Sequence, residues 1–355
     1  MRRHFRRDRS LQGPMIETRA LGRTGVRVSA LGFGAAPLGD LYARLDDATA
    51  IATVEAASDA GITLFDTSPH YGNGLSELRV GAGLRRRPRD AVVLSTKVGR
   101  VMDPRRRPDP PPAGVISPGF AGGVPHRASF DYSYDGALRA FEQSLLRMGV
   151  DRIDVLLIHD VDVWTHGPGA FETRFREAMD GAYRALDRLR SEGAIKAIGV
   201  GVNEADVCAR FVEAGDFDTV LMAGRYSLLE QGGAERFLPL ALRKGTGVML
   251  GGVFNSGILA TGPIEGARYN YRAAPPEILA RVRRIEAVCL SHGVALADAA
   301  LRFPLGHPAV ASVVIGAIDA GEVARNVASL ARPIPAGLWS DLKSERLLAA
   351  DVPTP

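Results

Sequence analysis

The chain has 355 residues, 46% hydrophobic and 24% charged, which is ordinary for a globular protein and long enough for one large (β/α)₈ barrel or for two smaller domains. Its formal net charge of +4 is carried within residues 1–14, where Arg2, Arg3, Arg6, Arg7 and Arg9 stand against Asp8. The neutral remainder lacks the basic face that a nucleic-acid partner requires, and no run of about 18 apolar residues could span a membrane.

The N-terminus has charge but no apolar core of a secretory signal, and residues 1–14 read as a basic, disordered tail ahead of a barrel over 15–355, with Met15 an alternative start. Cys208 and Cys289 are the two cysteines, and their separation matches no metal or redox motif. A reducing cytoplasm is the expected location, and no metal site is expected.

In chain order, Leu21-Gly22-Arg23-Thr24-Gly25-Val26-Arg27-Val28-Ser29 reads as a hairpin with its turn near Arg23–Gly25, suited to close a barrel floor. Short apolar runs then predict strands at Ala30–Gly34, Thr63–Asp66, Val92–Lys97, Val155–His159, Ala197–Val202, Thr219–Ala223, Gly247–Gly251 and Ser312–Ile315. Helical patterns fall near 47–60, 76–86, 135–148, 172–192, 204–214, 234–244, 277–292 and 319–330. Gly61, Gly149, Gly193 and Gly245 stand where helix C-caps are expected. Eight strands, each followed by a helix, predict a single (β/α)₈ TIM barrel with an N-terminal β-hairpin rather than an open sheet. The Pro-rich segment 101–131 breaks this rhythm after the third strand. It is either a lid over the catalytic end or an ordinary loop.

Active sites of such barrels lie at the C-terminal strand ends. There the chain places Asp66, Lys97 and His159 at the ends of strands two, three and four, with Tyr71 in the Gly- and Pro-rich turn after Asp66. Singly these residues have ordinary readings: a turn cap, a solvated lysine, a rim tyrosine, a structural imidazole. Together they form a proton-transfer set. A free phenol has a pKa near 10; a neighbouring ammonium favours its phenolate, and a carboxylate holds that ammonium charged and in place. The chain has only four lysines, yet one ends a strand, where a compact point charge differs from the planar fork of arginine.

From about Thr18 to Leu330 the chain resembles the aldo-keto reductase family. The marks are Leu21-Gly22-Arg23-Thr24-Gly25, Phe65-Asp66-Thr67 with Tyr71-Gly72 and Glu77, Ser95-Thr96-Lys97, and Leu156-Leu157-Ile158-His159. Ile198-Gly199-Val200 with Asn203, and Val314-Ile315-Gly316 with Asn326, extend them. The resemblance implies that Tyr71 is the general acid/base, that Lys97 and Asp66 tune it, and that His159 orients the carbonyl or hydroxyl. It also implies a nicotinamide dinucleotide lying across the strand ends without a Rossmann domain, so Gly32-Phe33-Gly34 is no dinucleotide fingerprint. Asn203, Ser256, Gly257, Gly316, Glu322 and Asn326 are the expected cofactor contacts.

Two departures narrow the subfamily. Ala223 stands three residues before Tyr226, where many members have Gln, and Gly251-Gly252 stands where many place an aromatic residue against the nicotinamide. The stretch Gly251–Leu259 and the run Arg225-Tyr226-Ser227-Leu228-Leu229-Glu230 are similar instead to the sugar-oxidising branch: L-fucose, L-galactose and D-threo-aldose 1-dehydrogenases, with a relative that acts on pyridoxal. The resemblance therefore implies oxidation of the anomeric carbon of a free aldose (of L-fucose, L-galactose or D-arabinose type) to a lactone. Pyridoxal or a simple aldehyde is the alternative substrate. His70, Trp164 and Asn255 are the candidate substrate contacts. A cofactor-sensing regulatory subunit is the alternative of a different class, and the oligomeric state is not legible. NADP-using members commonly carry cations after strand eight, where this chain has Gly316 and Glu322. A carboxylate repels a 2′-phosphate but accepts from a free 2′-hydroxyl, so NAD is expected over NADP.

Overall fold

In a computed structural model of the protein, residues 16–107 and 119–355 are described. The proposed basic tail, Met15 and the most Pro-rich part of segment 101–131 lie outside them.

A short antiparallel hairpin opens the fold, with β1 (Thr18–Ala20) paired to β2 (Arg27–Ser29) in the register Thr18↔Ser29. The barrel strands follow as β3 (Leu31–Gly34), β4 (Leu64–Asp66) and β5 (Val93–Val98). A side hairpin, β6 (Arg100–Asp103) and β7 (Arg127–Phe130), precedes β8 (Val155–His159), β9 (Ala197–Val202), β10 (Thr219–Ala223) and β11 (Gly247–Gly251). The two-residue pair β12 (Arg268–Tyr269) and β13 (Arg272–Ala273) comes before the last barrel strand, β14 (Val310–Ile315). Strands β3, β4, β5, β8, β9, β10, β11 and β14 form one closed parallel barrel, sealed where Val313 pairs with Leu31. The eight expected barrel strands thus stand within two residues of their sequence positions.

The hairpin does close the floor. Leu21, Val26 and Val28 are buried in one cluster with the inward-facing Leu64, Val93, Val155, Leu157, Leu221 and Met249. The barrel interior is therefore a packed core, and polar chemistry is left to its opposite, C-terminal rim.

Helices α1 (Asp47–Asp59), α2 (Leu75–Leu84) and α3 (Tyr134–Met148) cover the first half. Local chemistry sets their ends: Asp46 accepts from Thr49 N–H at the start of α1, and Ser133 from Gly136 N–H at the start of α3. Gly149 then ends α3 in the left-handed conformation. The helix expected over 172–192 begins earlier and is not uniform. It comprises α4 (Val163–Glu177, bent at Gly167-Pro168), a π-helical turn over Ala178–Tyr183, and α5 (Arg184–Ser191). At the wide turn the Ala182 N–H donates to the Tyr132 carbonyl at 2.8 Å instead of closing an ordinary helical bond. Close approach makes this possible, because a Cβ on Gly181 would lie 2.4 Å from the same carbonyl oxygen.

The second half adds α6 (Ala205–Ala214), α7 (Phe237–Lys244), α8 (Ile258–Thr261), α9 (Pro276–Ser291), α10 (Leu296–Arg302), α11 (Ala320–Ala331) and α12 (Ala336–Ser344). Helix α7 starts three residues later than its sequence pattern, after a 3₁₀ turn at Gly232–Ala234. The short helices α10 and α12 and the β6–β7 hairpin are additions to the sequence reading. Among the described residues no single helix is long and apolar enough to cross a membrane.

Candidate active site

Asp66 ends β4 and Lys97 sits in the adjacent β5, both almost completely buried. The Lys97 ammonium donates to Asp66 Oδ2 at 2.7 Å and to the Thr67 carbonyl at 2.7 Å. Ser95 donates to the other carboxylate oxygen, Oδ1, at 2.8 Å, so both acceptor atoms of Asp66 are engaged. Burial lowers the Lys97 pKa, but the charge of Asp66 and the neighbouring Tyr71 outweigh it and hold the pKa above its usual value.

The same ammonium lies 4.8 Å from the centre of the Tyr71 ring. Burial is the strongest influence on this phenol and pushes it up; Lys97 pulls it down, while Asp66 and Asp160 push it up again. The result is a pKa of about 12, so the resting side chain is a neutral phenol rather than the phenolate of the sequence-based expectation. The turn is braced sterically. Gly72 has φ +62°, and a Cβ there would meet the Gly39 carbonyl oxygen at 2.5 Å, pressing the Tyr71 turn against the loop that follows β3.

His159 ends β8 with its ring 5.9 Å from that of Tyr71, nearly perpendicular. Its tautomer follows from its partners. The His70 N–H donates to Ser68 Oγ at 3.0 Å, leaving the Ser68 proton for His159 Nδ1, also at 3.0 Å. The Arg100 guanidinium also faces Nδ1, at 3.4 Å. Nδ1 therefore accepts, and the ring proton sits on Nε2. Burial, reinforced by Lys97 and Arg100, drives the His159 pKa well below its usual value and keeps the ring neutral. His70 is likewise pushed well below its usual value, by burial first and then by Arg100 and Lys97.

The structure brings Tyr71, Lys97, Asp66, His159 and His70 into one cluster, with the His70 and His159 rings 6.0 Å apart. Trp164 instead sits in the first turn of α4, 5.8 Å from the Arg225 guanidinium. Asn255 is 4% exposed and internally engaged: its Oδ1 accepts from Ser227 Oγ at 2.5 Å and its amide approaches the Gly224 carbonyl. It fastens the loop after β10 to the loop after β11, in place of the open substrate contact expected from the sequence.

Three site residues were missed by sequence reasoning, and a fourth, Glu77, was named only as part of a motif. Arg100 and Asp160 form a buried ion pair of 2.8 Å beside His159. Glu77, fully buried, accepts from Thr96 Oγ1 at 2.7 Å and from Arg147 at 2.5 Å, locking α2 against β5 and α3. Phe120 lies over the site, its ring 5.3 Å from His70 and 6.1 Å from Tyr71. It is held there by bridge pairing with Leu41 and by the Ala121 N–H on the Asp40 carbonyl. The described part of the Pro-rich segment is thus a cover on the catalytic rim. Glu77, in the motif after Tyr71-Gly72, and Asp160, directly after a strand-end histidine, were the positions visible in the sequence as signals.

The residues expected to hold a nicotinamide dinucleotide follow strands β9, β11 and β14. Asn255, Ser256 and Gly257 have successive positive φ values, and nothing lies within 4 Å of where a Cβ on Gly257 would stand, so ligand backbone contact is sterically open there. Asn203 is oriented by Asp162, whose Oδ2 accepts from its N–H and its side-chain amide at 2.9 and 3.0 Å. Gly316 is packed against Pro37, which a Cβ would approach to 2.7 Å. Glu322 braces the start of α11: its N–H donates to the N-cap Asp319 and its carboxylate accepts from the preceding Ile318 N–H at 3.0 Å. Asn326 lies one turn further along that helix. A separate groove of about 820 Å³ between α4, α6 and α7, lined by Phe171, Arg210 and Arg236, contains none of Tyr71, Lys97, Asp66 and His159.

Comparison with known proteins agrees with this architecture. The chain is 44% identical over 337 residues to a pyridoxal 4-dehydrogenase of Microbacterium luteolum, covering 94% of this chain and 98% of that one. It is 41% identical to a D-threo-aldose 1-dehydrogenase of a Pseudomonas species, covering 95% and 98% of the two chains. An L-galactose dehydrogenase of Arabidopsis thaliana is 30% identical, with 93% of each chain covered. Among solved structures, an aldo-keto reductase of Bacillus halodurans superimposes with a TM-score of 0.72 at 27% identity, covering 95% of this chain and 98% of that one. Residues 30–345 match the aldo/keto reductase family as a whole. With the closed barrel and the strand-end cluster in place, the chain belongs to the aldo/keto reductase family of oxidoreductases.

Proposed function

We propose that the protein oxidises the hemiacetal carbon of a small cyclic substrate to a lactone, with a free aldose of L-fucose, L-galactose or D-arabinose type as the substrate and NAD as the preferred cofactor. The observation that carries this reading is the buried cluster in which Lys97, clamped by Asp66, faces the Tyr71 ring while neutral His159 presents its Nε2 proton beside it. Tyr71 is the group that exchanges a proton with the anomeric hydroxyl. Lys97 stabilises its deprotonated form, and His159 donates a hydrogen bond to the reacting oxygen. The bound nicotinamide supplies the hydride acceptor; Asn203, Ser256, Gly257, Gly316, Glu322 and Asn326 are the residues proposed to hold it. Phe120 and His70 cover the reacting carbon and limit its access to water.

The sugar reading draws on the aldose-oxidising relatives. The pyridoxal 4-dehydrogenase relative favours a second reading, and the two are chemically close because pyridoxal also presents a cyclic hemiacetal. The NAD preference rests on Gly316 and Glu322 in the stretch 316–326, whose one cation, Arg325, lies 3.9 Å from the Glu322 carboxylate. A reducing, cytoplasmic setting suits the two buried free cysteines, Cys208 and Cys289.

The test is cofactor reduction followed by absorbance with L-fucose, L-galactose, D-arabinose and pyridoxal side by side, each with NAD and NADP. Turnover of the sugars with NAD is expected. Exclusive turnover of pyridoxal selects the second reading, and turnover restricted to simple aliphatic or aromatic aldehydes rejects both. Cofactor binding without turnover of any substrate selects a regulatory subunit.

A further inference from the structure

The buried pair Arg100–Asp160 has no part in the proton transfer described above, yet it borders it. Arg100 Nη1 lies 2.8 Å from Asp160 Oδ2 and 3.4 Å from His159 Nδ1. The other Asp160 oxygen, Oδ1, lies 3.3 Å from His159 Nε2, the atom that carries the ring proton. The Asp160 carboxylate therefore stands on the substrate-facing side of the imidazole. The pair is also expensive to keep. Both side chains are removed from water, and a buried ion pair gains little or nothing over well-packed apolar residues. Asp160 additionally holds a left-handed backbone, φ +56°, although it is not glycine. Costly charge and strained backbone placed together at a reacting centre are the pattern of a functional group.

We infer that Arg100 and Asp160 read the hydroxyl on the carbon next to the reacting carbon. Asp160 accepts the hydrogen bond of that vicinal hydroxyl. Arg100, held over the Phe130 ring at 4.4 Å, keeps the carboxylate ionised and pointed at it. The His159 Nε2 proton, 3.3 Å from Oδ1, is then directed to the reacting oxygen while Asp160 is occupied by the vicinal hydroxyl. The substrate class is thus α-hydroxy aldehydes and their cyclic hemiacetals. The inference rests on Tyr71 and His159 being the reacting end of the site, and it does not depend on which sugar is the substrate.

The test uses the full-length protein in the reduction direction with two isomers, 2-hydroxypropanal and 3-hydroxypropanal, which differ only in where the hydroxyl sits. The wild type is expected to favour the 2-hydroxy isomer in kcat/KM by about 10–10²-fold, the value of one charge-assisted hydrogen bond. Asp160→Asn should bring that ratio below about threefold, and Arg100→Lys, which keeps the charge but loses the fork, should lower it by a smaller factor. A wild-type ratio near one overturns the inference without any variant having to fold. An equal loss on both isomers in either variant, with the ratio preserved, makes the pair a structural brace and also overturns it. In both cases the acid–base assignment survives, because the wild type still turns over. If the wild type reduces neither isomer and oxidises no hemiacetal, the acid–base assignment and this inference fall together.

Discussion

Lys97 and Asp66 lie 2.7 Å apart on adjacent parallel strands, both out of reach of water, with the lysine also bonded to the Thr67 carbonyl. The register pairs Asp66 with Ser95, so Lys97 projects past the end of the shorter strand and over the turn that carries Tyr71. Removing one member leaves a buried, unpaired charge. Lys97→Met should therefore destabilise the protein by about 3–5 kcal/mol, visible as a large drop in Tm, as well as abolish turnover. The double variant Asp66→Asn/Lys97→Met should recover much of the stability and none of the activity. Thermal unfolding measured alongside the assay separates the two roles.

Tyr71→Phe removes the hydroxyl proposed to exchange the proton and leaves the ring in place. Turnover should fall by about 10²–10⁴-fold, the usual worth of a positioned acid or base. Nucleotide affinity, measured by fluorescence titration, should change little. Retention of full activity would remove Tyr71 from its assigned role.

The pH dependence follows from the direction of each shift. A phenol raised to about 12 is protonated at neutral pH, so the fraction able to act as base grows about tenfold per pH unit below that value. In the oxidation direction log kcat/KM should climb with a slope near one through the alkaline range. In the reduction direction, where the acid form is needed, it should be flat from about pH 6 to 9. His159 is held well below its ordinary value by burial and by the neighbouring cations, so no inflection is expected near pH 6.5. An inflection there would assign the titration to His159.

The Tyr71 turn depends on the missing side chain of Gly72. Gly72→Ala adds a Cβ at 2.5 Å from the Gly39 oxygen and places an L-residue at φ +62°. A cost of about 1–3 kcal/mol and a fall in kcat are expected, since the backbone must move where Tyr71 is set. Gly61→Ala is the comparison: its φ is +89° but nothing lies within 4 Å, so stability should fall while kcat holds.

Glu322→Arg tests the cofactor preference. The change removes the carboxylate that accepts from the Ile318 N–H, so a small loss of stability, about 0.5–1 kcal/mol, accompanies it. The ratio of kcat/KM for NAD to that for NADP should move toward NADP. A tenfold wild-type preference for NADP would reverse the assignment.

The amino-acid sequence by itself determined the barrel and its catalytic end. Strands buried on both faces read as short continuous apolar runs, and helices announced themselves by period and by glycine caps such as Gly149 and Gly245. Because parallel strands direct their C-terminal ends to one rim, Asp66, Lys97 and His159 could be assigned to a common site from chain position alone. What only the tertiary structure decided depends on contacts between segments distant in the chain. Arg100 opens a side hairpin and Asp160 follows a strand 60 residues later, yet their charges meet at 2.8 Å. Phe120 reaches Tyr71 because its segment pairs with Leu41. Asn255 reads in sequence as a polar loop residue free to meet substrate, but packing turns it inward to Ser227. The protonation of Tyr71 was likewise undecided by residue type, because it depends on how completely the folded chain excludes water from a phenol whose pKa Lys97 lowers.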